Sequence, residues 1–169
     1  MTRGFTLLEL VITISICGVA LAFAAPSFSN MVADSKMKRL ATEFNGFIIQ
    51  AKSEAVMRNK KLYAHFSFPE NTENSLGTWN VILADSDTLP GADNIAYFDG
   101  QPFYGLTVKH TYSSQQIAFD AIRGRPKSGS FIFQPVSSNS NQLAIKTSNP
   151  PGRVKVCSLE GDHYGYKTC

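Results

Sequence analysis

The sequence of 169 residues has few of the side chains from which catalytic and metal sites are usually built. It holds three cysteines and three histidines, and His65, His110 and His163 stand in unrelated contexts without metal-ligand spacing. It has no Cys-x-x-Cys pair, Gly-x-Ser-x-Gly, His-Glu-x-x-His or phosphate-binding glycine loop. These absences argue against a zinc site and against the common enzyme classes, so we predict neither catalysis nor a cofactor.

Charge is also sparse, and neither sign dominates. The chain has 16 Lys and Arg against 13 Asp and Glu, a net charge of +3, which gives only a mild bias toward anionic partners. The acidic segment "DSDTLPGADN", with Asp85, Asp87 and Asp93, resembles a loose calcium loop but lacks the EF-hand spacing. We therefore predict a solvated turn there.

Six cations cluster in the C-terminal third of the chain: Arg123, Arg125, Lys127, Arg153, Lys155 and Lys167. Arg153 and Lys155 are two residues apart, which places them on one face of a strand. Cations interleaved with aromatic residues such as Tyr164 and Tyr166 can bind the phosphates and bases of nucleic acids. The alternative is a solvated strand face with structural arginines.

The cysteines divide into one in an apolar stretch and two near the C-terminus. Cys157 and Cys169 could close a short loop in an oxidising compartment and stabilise it by about 3 kcal/mol. Cys17 is interpreted as a small apolar residue.

The N-terminal stretch "MTRGFTLLELVITISICGVALAFAAPSF" is the longest apolar run. A helix over residues 5–28 would be about 36 Å long, enough to cross a bilayer core, so we predict a transmembrane helix. The alternative is a secretory signal peptide cleaved near "AFAAPS". Against it, Thr6 and Glu9 interrupt the part that should be cleanly apolar, and a carboxylate there is costly in lipid.

Downstream of Pro26 the pattern becomes amphipathic. Polar residues lie off a single apolar stripe at helical spacing, formed by Met37, Leu40, Ala41, Phe44, Ile48, Ala51 and Ala55. We predict one helix from about Phe5 to Asn59, kinked near Pro26, whose second half packs on a globular domain.

The rest of the chain reads as β-structure. Short segments rich in β-branched and aromatic residues are separated by turn formers, and they are "LYAHFSF", "WNVILA", "NIAYF", "GLTVKH", "QQIAF", "GSFIFQP", "QLAIKT" and "RVKVCS". One long helix followed by eight short strands predicts an α+β fold, in which the helical spine packs on an antiparallel two-sheet β-sandwich.

The N-terminal residues resemble the class III signal of type IV pilins and type II secretion pseudopilins. Gly4, Phe5, Glu9 and Pro26 fall on the positions of that motif. The resemblance implies cleavage after Gly4 by a prepilin peptidase, N-methylation of Phe5, and retention of the helix in the inner membrane. It also implies that Glu9 pairs with the Phe5 amine of a neighbouring subunit during assembly.

The soluble region is similar to the GspH/FimT-type minor pilins. The shared landmarks are "SEAVMRN" on the helix, "GTWNVILADSD", "FDAIRGR" and "PPGRVKVC", whereas the interval between Trp79 and Phe119 matches nothing specific. The resemblance implies a leader at 1–4, a filament-core helix at 5–28, its amphipathic continuation at 29–60 and a periplasmic sandwich at 61–169.

The function implied by the resemblance is that of a minor pilin, which primes assembly of a type IV pilus near its tip and reaches the cell surface with other major and minor pilins. Competence pilins carry a C-terminal Gly-Arg-x-Arg segment implicated in binding double-stranded DNA, and Gly152, Arg153 and Lys155 match it, with Lys replacing the second Arg. The alternatives are a minor pseudopilin of a type II secretion system and a secreted binding protein.

Overall fold

In a computed structural model of the chain, one long helix precedes eight strands. The structure describes residues 5–89, 91–137 and 141–169, apart from the side chains of residues 23–27. The helix, α1, spans Leu7–Met57. The strands are β1 (Leu62–Phe66), β2 (Asn80–Ala84), β3 (Asn94–Asp99), β4 (Leu106–His110), β5 (Gln116–Phe119), β6 (Gly129–Pro135), β7 (Leu143–Ser148) and β8 (Arg153–Ser158).

The end of α1 is set by Asn59, which adopts a left-handed conformation with φ of +48°. The Asn59 N–H donates to the carbonyl of Val56, and the Lys60 N–H donates to that of Ala55. This pair of bonds is the Schellman motif, for which asparagine is one of the few suitable side chains. The chain therefore leaves the helix two residues before the end predicted from the sequence.

The apolar stripe of α1 is the centre of the core. All seven residues predicted for it are fully buried, and Phe47, which was not predicted, is buried beside them. The Phe44 ring packs on β6 through Phe131, with ring centroids 4.2 Å apart, and on β1 through Phe66 at 6.3 Å. One helix residue thus contacts both sheets.

The strands form two antiparallel sheets of four. One sheet has the order β3-β2-β1-β5, and the other has the order β4-β6-β7-β8. All eight predicted strands are present, and the prediction of a helical spine packed on two antiparallel sheets is confirmed. The order of the strands did not follow from the sequence, because β5 leaves its sequence neighbours to pair with β1.

The interval after Trp79 is organised around the Trp79 indole. The backbone of Gly100 lies directly against it, so that a Cβ on Gly100 would lie 2.5 Å from two indole atoms. The 3-10 helix Gln101–Phe103 follows at once, and Phe103 stacks on Phe98 with a centroid separation of 5.9 Å. This aromatic stack explains how a segment without recognisable landmarks closes one end of the domain.

The first half of α1 differs from the second half in the exposure of its described side chains. Its large apolar side chains are exposed, from Phe5, Leu7 and Leu8 through Ile16 to Met31. Within the part of the chain that the structure describes, no helix is long and apolar enough to cross a membrane. The membrane span over residues 5–28 and the kink near Pro26 stay predictions.

Candidate functional site

The N-terminus of α1 holds two of the three residues expected to act in processing and assembly. Phe5 precedes the helix and is 73% exposed. Thr6 is the N-cap, and its Oγ1 accepts a hydrogen bond of 3.2 Å from the backbone N–H of Glu9. Gly4, the residue before the expected cleavage site, lies outside the described residues.

The bond to Thr6 uses the backbone N–H of Glu9, and the Glu9 carboxylate stands in the first turn, where it can stabilise the helix start in addition to the assembly role that we expect. Thr6 and Glu9 have the Ser/Thr-x-x-Glu spacing of a capping box. A carboxylate in the first turn also interacts favourably with the positive end of the helix dipole. Sequence analysis missed this role, although the spacing in "TLLE" signals it. An assembly experiment on Glu9 must separate it from pairing with a neighbouring amine.

The basic turn, residues 120–127, is a loop held by hydrogen bonds to Asp120. The Asp120 carboxylate accepts hydrogen bonds from the backbone N–H groups of Ile122, at 2.9 Å, and of Arg123, at 3.1 Å. The first of these bonds is the main reason that the pKa of Asp120 lies below its usual value. The Gly124 N–H donates to the Asp120 carbonyl and closes the turn. The Arg123 side chain is thus exposed on a fixed backbone.

Two glycines bring this turn and the start of β8 against α1. Gly124 has φ of +60°, and a Cβ there would lie 2.5 Å from the carbonyl oxygen of Lys52. Gly152 has φ of +85°, and a Cβ there would lie 2.7 Å from Cγ of Arg125. Lys52 Nζ donates to the Gly152 carbonyl at 2.9 Å. The segments "RGR" (residues 123–125) and "GR" (residues 152–153), which are far apart in the sequence, lie against each other at this point.

We call this region the basic cluster, and its members are Lys52, Arg123, Arg125, Lys127 and Arg153. Arg125 and Lys127, with Lys61, line a shallow groove of about 480 Å³ beside it. Lys127 Nζ donates to the hydroxyls of Ser113 and Ser114. Among the described residues, the side chains of Arg123 and Arg153 donate no hydrogen bond, so both are available to an anionic ligand.

Lys155 and Lys167 are placed differently from the cluster. Lys155 lies on β8 opposite Lys146 of β7, and its Nζ donates to the carbonyls of Thr168 and Cys169 at 3.5 and 3.3 Å. It therefore helps to hold the C-terminal segment against β8. Lys167 is exposed on that segment. Sequence reasoning placed Lys155 and Arg153 on one face but missed the backbone partners of Lys155.

The C-terminal segment is fixed by a disulfide between Cys157 and Cys169, whose Cα atoms are 5.0 Å apart. The predicted pairing is confirmed. Asp162 also closes the loop, since its Oδ1 accepts from the N–H and the hydroxyl of Thr168 at 2.9 and 3.0 Å. Cys17, the free cysteine, is exposed on α1.

Removing the disulfide should destabilise the domain. We expect Cys169→Ser to lower the free energy of unfolding by about 3 kcal/mol, because the unfolded chain regains the entropy of the loop. Chemical unfolding of the full chain in detergent, followed by circular dichroism, measures the change. Adding a reductant should lower the stability of the wild type but not of Cys169→Ser, and Cys17→Ser should behave like the wild type. Equal stability of wild type and Cys169→Ser would contradict the assignment.

The acidic loop after β2 is closed by internal contacts. Lys60 Nζ lies 2.5 Å from Oδ2 of Asp85, and the N–H of Asp93 donates to Oδ1 of Asp85 at 3.0 Å. The hydrogen bond from Lys60 is the main reason that the pKa of Asp85 lies below its usual value. Among the described residues there is no group of three or more acidic, histidine or cysteine side chains that could hold a metal ion.

The three histidines are in separate environments. His110 is fully buried, stacks on Phe66 with ring centroids 4.1 Å apart, and has its Nε2 2.9 Å from the carbonyl of Phe68. Burial lowers the pKa of His110. His65 bonds the carbonyl of Ser86, and His163 lies in the C-terminal loop. Among the described residues, the three histidines therefore do not form a common metal site.

Comparison with protein families gives two matches. The family described as type II transport protein GspH matches residues 40–164. The prokaryotic N-terminal methylation motif matches residues 1–25. The first match covers the packed half of α1 from Leu40 and all eight strands, and the second covers most of the exposed half of the helix.

Related sequences are fimbrial proteins. The type IV major fimbrial protein FimA of Dichelobacter nodosus is 32% identical over 64% of this chain and 62% of its own length. A fimbrial protein of Pseudomonas aeruginosa is 28% identical over 59% of this chain and 61% of its own length. The alignments thus span about three fifths of each relative.

Among solved structures, the type IV minor pilin FimU of Pseudomonas aeruginosa has the same fold. Two crystal forms align with TM-scores of 0.55 and 0.51, at 17% and 18% identity. The alignments cover 72% and 70% of this chain and 88% and 90% of the FimU chains. At this identity the likeness concerns the fold alone.

Proposed function

We propose that this chain, which belongs to the GspH family of type II transport proteins, acts as a minor pilin that primes assembly of a type IV pilus near its tip. The family consists of pilin-like structural subunits rather than enzymes. The observation that carries the proposal is the contrast between the two halves of α1: the second half is buried in the domain, whereas the first half exposes its apolar side chains.

The exposed apolar side chains in the first half of α1 must be covered by something other than the globular domain. Burial of apolar area is favourable by about 25 cal/mol per Å², so that such a surface is covered by lipid or by other apolar helices. We infer that it is anchored in the inner membrane after cleavage by the prepilin peptidase, and that it then packs against the corresponding helices of other pilins in the filament core.

A second candidate is a minor pseudopilin of a type II secretion system. The description of the matching family favours it, whereas the fimbrial relatives favour the pilus. Deleting the gene distinguishes the two. We expect loss of pili and of pilus-dependent movement with normal protein secretion, and a secretion defect with intact pili would overturn the assignment to the pilus.

We further propose that the basic cluster contacts double-stranded DNA during uptake. Arg153 and Arg123 are exposed and lie on backbones fixed by Gly152 and Asp120. Guanidinium groups presented from a held backbone can bond phosphate oxygens in bidentate fashion, which a Lys at the second position cannot do. Lys155, Arg125, Lys127 and Lys167 would add charge around them.

Charge reversal tests the DNA proposal. We expect Arg153→Glu to weaken binding to a duplex and to reduce the slope of log K against log salt by about 1 for the lost phosphate contact. Lys155→Gln should weaken binding less, since Lys155 already bonds the C-terminal segment. The matched control is Lys38→Glu, an exposed cation on α1 far from the cluster. Unchanged affinity and slope in Arg153→Glu would overturn the proposal.

A further inference from the structure

A second groove lies at the opposite end of the domain from the basic cluster. It has a volume of about 540 Å³, and Tyr97, Tyr104, Asn80, Asp99, Gln101 and Trp79 are among its lining residues. The carbonyl of Tyr104 accepts a bond from Lys36, whereas the basic cluster is joined to Lys52. Lys36 and Lys52 are separated along α1 by about 24 Å, so the two sites are distinct.

The two tyrosines give this groove an exposed aromatic surface. Tyr97 on β3 is 61% exposed, and Tyr104 after the 3-10 helix is 62% exposed. The ring of an exposed tyrosine is an apolar surface with a polar tip, and it contacts a ligand at little cost in conformational entropy. The groove therefore offers flat apolar contact to a ligand that also has hydrogen-bonding groups.

Polar side chains with unused hydrogen-bonding capacity surround the tyrosines. Asp99 Oδ1 accepts the N–H of Gln101 at 3.0 Å, which orients the carboxylate, and within the described residues Oδ2 has no partner. The side-chain amides of Asn80 and Gln101 likewise make no hydrogen bond to described residues. A carboxylate and two amides offer several acceptors and donors close together.

The frame of the groove is rigid. The Gly100 N–H donates to the Trp79 carbonyl at 2.9 Å, and the Tyr104 N–H donates to the Gln101 carbonyl at 3.2 Å. Trp79, which contributes to the lining, is almost fully buried and packs on Phe98 and Phe131. A site whose side chains stand on fixed backbone loses little entropy when a ligand binds.

We propose that this groove binds a pyranose unit of a neutral oligosaccharide. A sugar ring has an apolar C–H face that can pack on tyrosine, and its hydroxyls can bond a carboxylate and amides at the same time. Among the described residues that line the groove, the one charged side chain is the carboxylate of Asp99, which disfavours an anionic ligand. A proline-rich peptide would use the aromatic rings but few of the polar groups.

Trp79 lines the groove and is the only tryptophan of the chain, so its fluorescence can be used to follow binding there. The full chain is held in a zwitterionic detergent, because a sugar-headed detergent would compete for the groove. It is titrated with chitotetraose, cellotetraose and maltotetraose, and separately with decaproline. Trp79 fluorescence follows binding, and saturation-transfer NMR identifies the sugar protons in contact. We expect a saturable response to at least one tetrasaccharide.

Variants complete the test. Tyr97→Ala should weaken that sugar's binding about tenfold, Asp99→Asn should weaken it less, and Tyr97→Phe should retain the ring contact. The exposed residue Ile122, in the Asp120 turn beside the basic cluster, supplies the control Ile122→Ala, which should bind like the wild type. No response to any of the three sugars, a response to decaproline alone, or wild-type sugar affinity in Tyr97→Ala would overturn the proposal. Arg153→Glu should leave the sugar titration unchanged, so this inference and the DNA proposal can fail separately.

Discussion

Replacing Glu9 with alanine or glutamine is expected to leave a chain that is cleaved and membrane-anchored but enters filaments at least about tenfold less often. In our proposal the Glu9 carboxylate pairs with the amine of a neighbouring subunit's Phe5, which offsets the cost of holding a charge among apolar helices. Either substitution leaves that amine unpaired. The amount of the chain in sheared filaments, relative to the amount in the membrane, measures the effect.

The capping role of Glu9 requires its own control. Glutamine can serve at the third helical position of a capping box, so Glu9→Gln keeps this function and removes only the charge. Thr6→Ala does the reverse, since it removes the cap seen in the structure and keeps the carboxylate. Pairing predicts that Glu9→Gln fails to assemble while Thr6→Ala, once cleaved, still assembles. The opposite pattern would show that helix capping accounts for the need for Glu9.

Gly124→Ala is expected to destabilise the globular domain by about 3 kcal/mol, as much as removing the disulfide. The new Cβ would require φ of +60° at an alanine and would lie 2.5 Å from the carbonyl oxygen of Lys52, which belongs to the helix backbone and cannot rotate away. The turn that holds Arg123 and Arg125 would have to move off α1. Thermal unfolding should show a fall in Tm of roughly 10 °C.

Gly105→Ala is the matched control for this substitution. Gly105 also has a positive φ, of +88°, but a Cβ there has no atom within 4 Å. It therefore carries the conformational cost without the clash, and we expect a loss of about 1 kcal/mol. If Gly124→Ala and Gly105→Ala have the same Tm, the close packing of the basic turn on α1 is not what stabilises it.

The elements of this fold were predictable because their signals are local. The stripe from Met37 to Ala55 has the period of a helix, and each strand is a short β-branched or aromatic run between turn formers. The disulfide was predictable because Cys157 and Cys169 are close in the chain. The resemblance to minor pilins likewise rested on contiguous residues such as "GFTLLE" and is supported by the family match.

The arrangement of the sites was not predictable, because it depends on contacts between distant segments. Gly152 meets Arg125 only after β5 and β8 have joined different sheets. The groove at Tyr97 forms because Gly100 allows the backbone to lie on Trp79. The contacts of Lys155 follow from the disulfide, which brings the last residues beside β8. No local pattern encodes these pairings.

Mass spectrometry of the mature N-terminus shows whether the apolar half of α1 is retained as a processed pilin helix. The protein is isolated from its native membrane fraction, and its N-terminal peptide is sequenced. We expect a mature chain that begins at Phe5 and carries a methyl group on its α-amine. A chain that begins near Pro26 would show instead that the segment is a secretory signal peptide and that the helix is not retained.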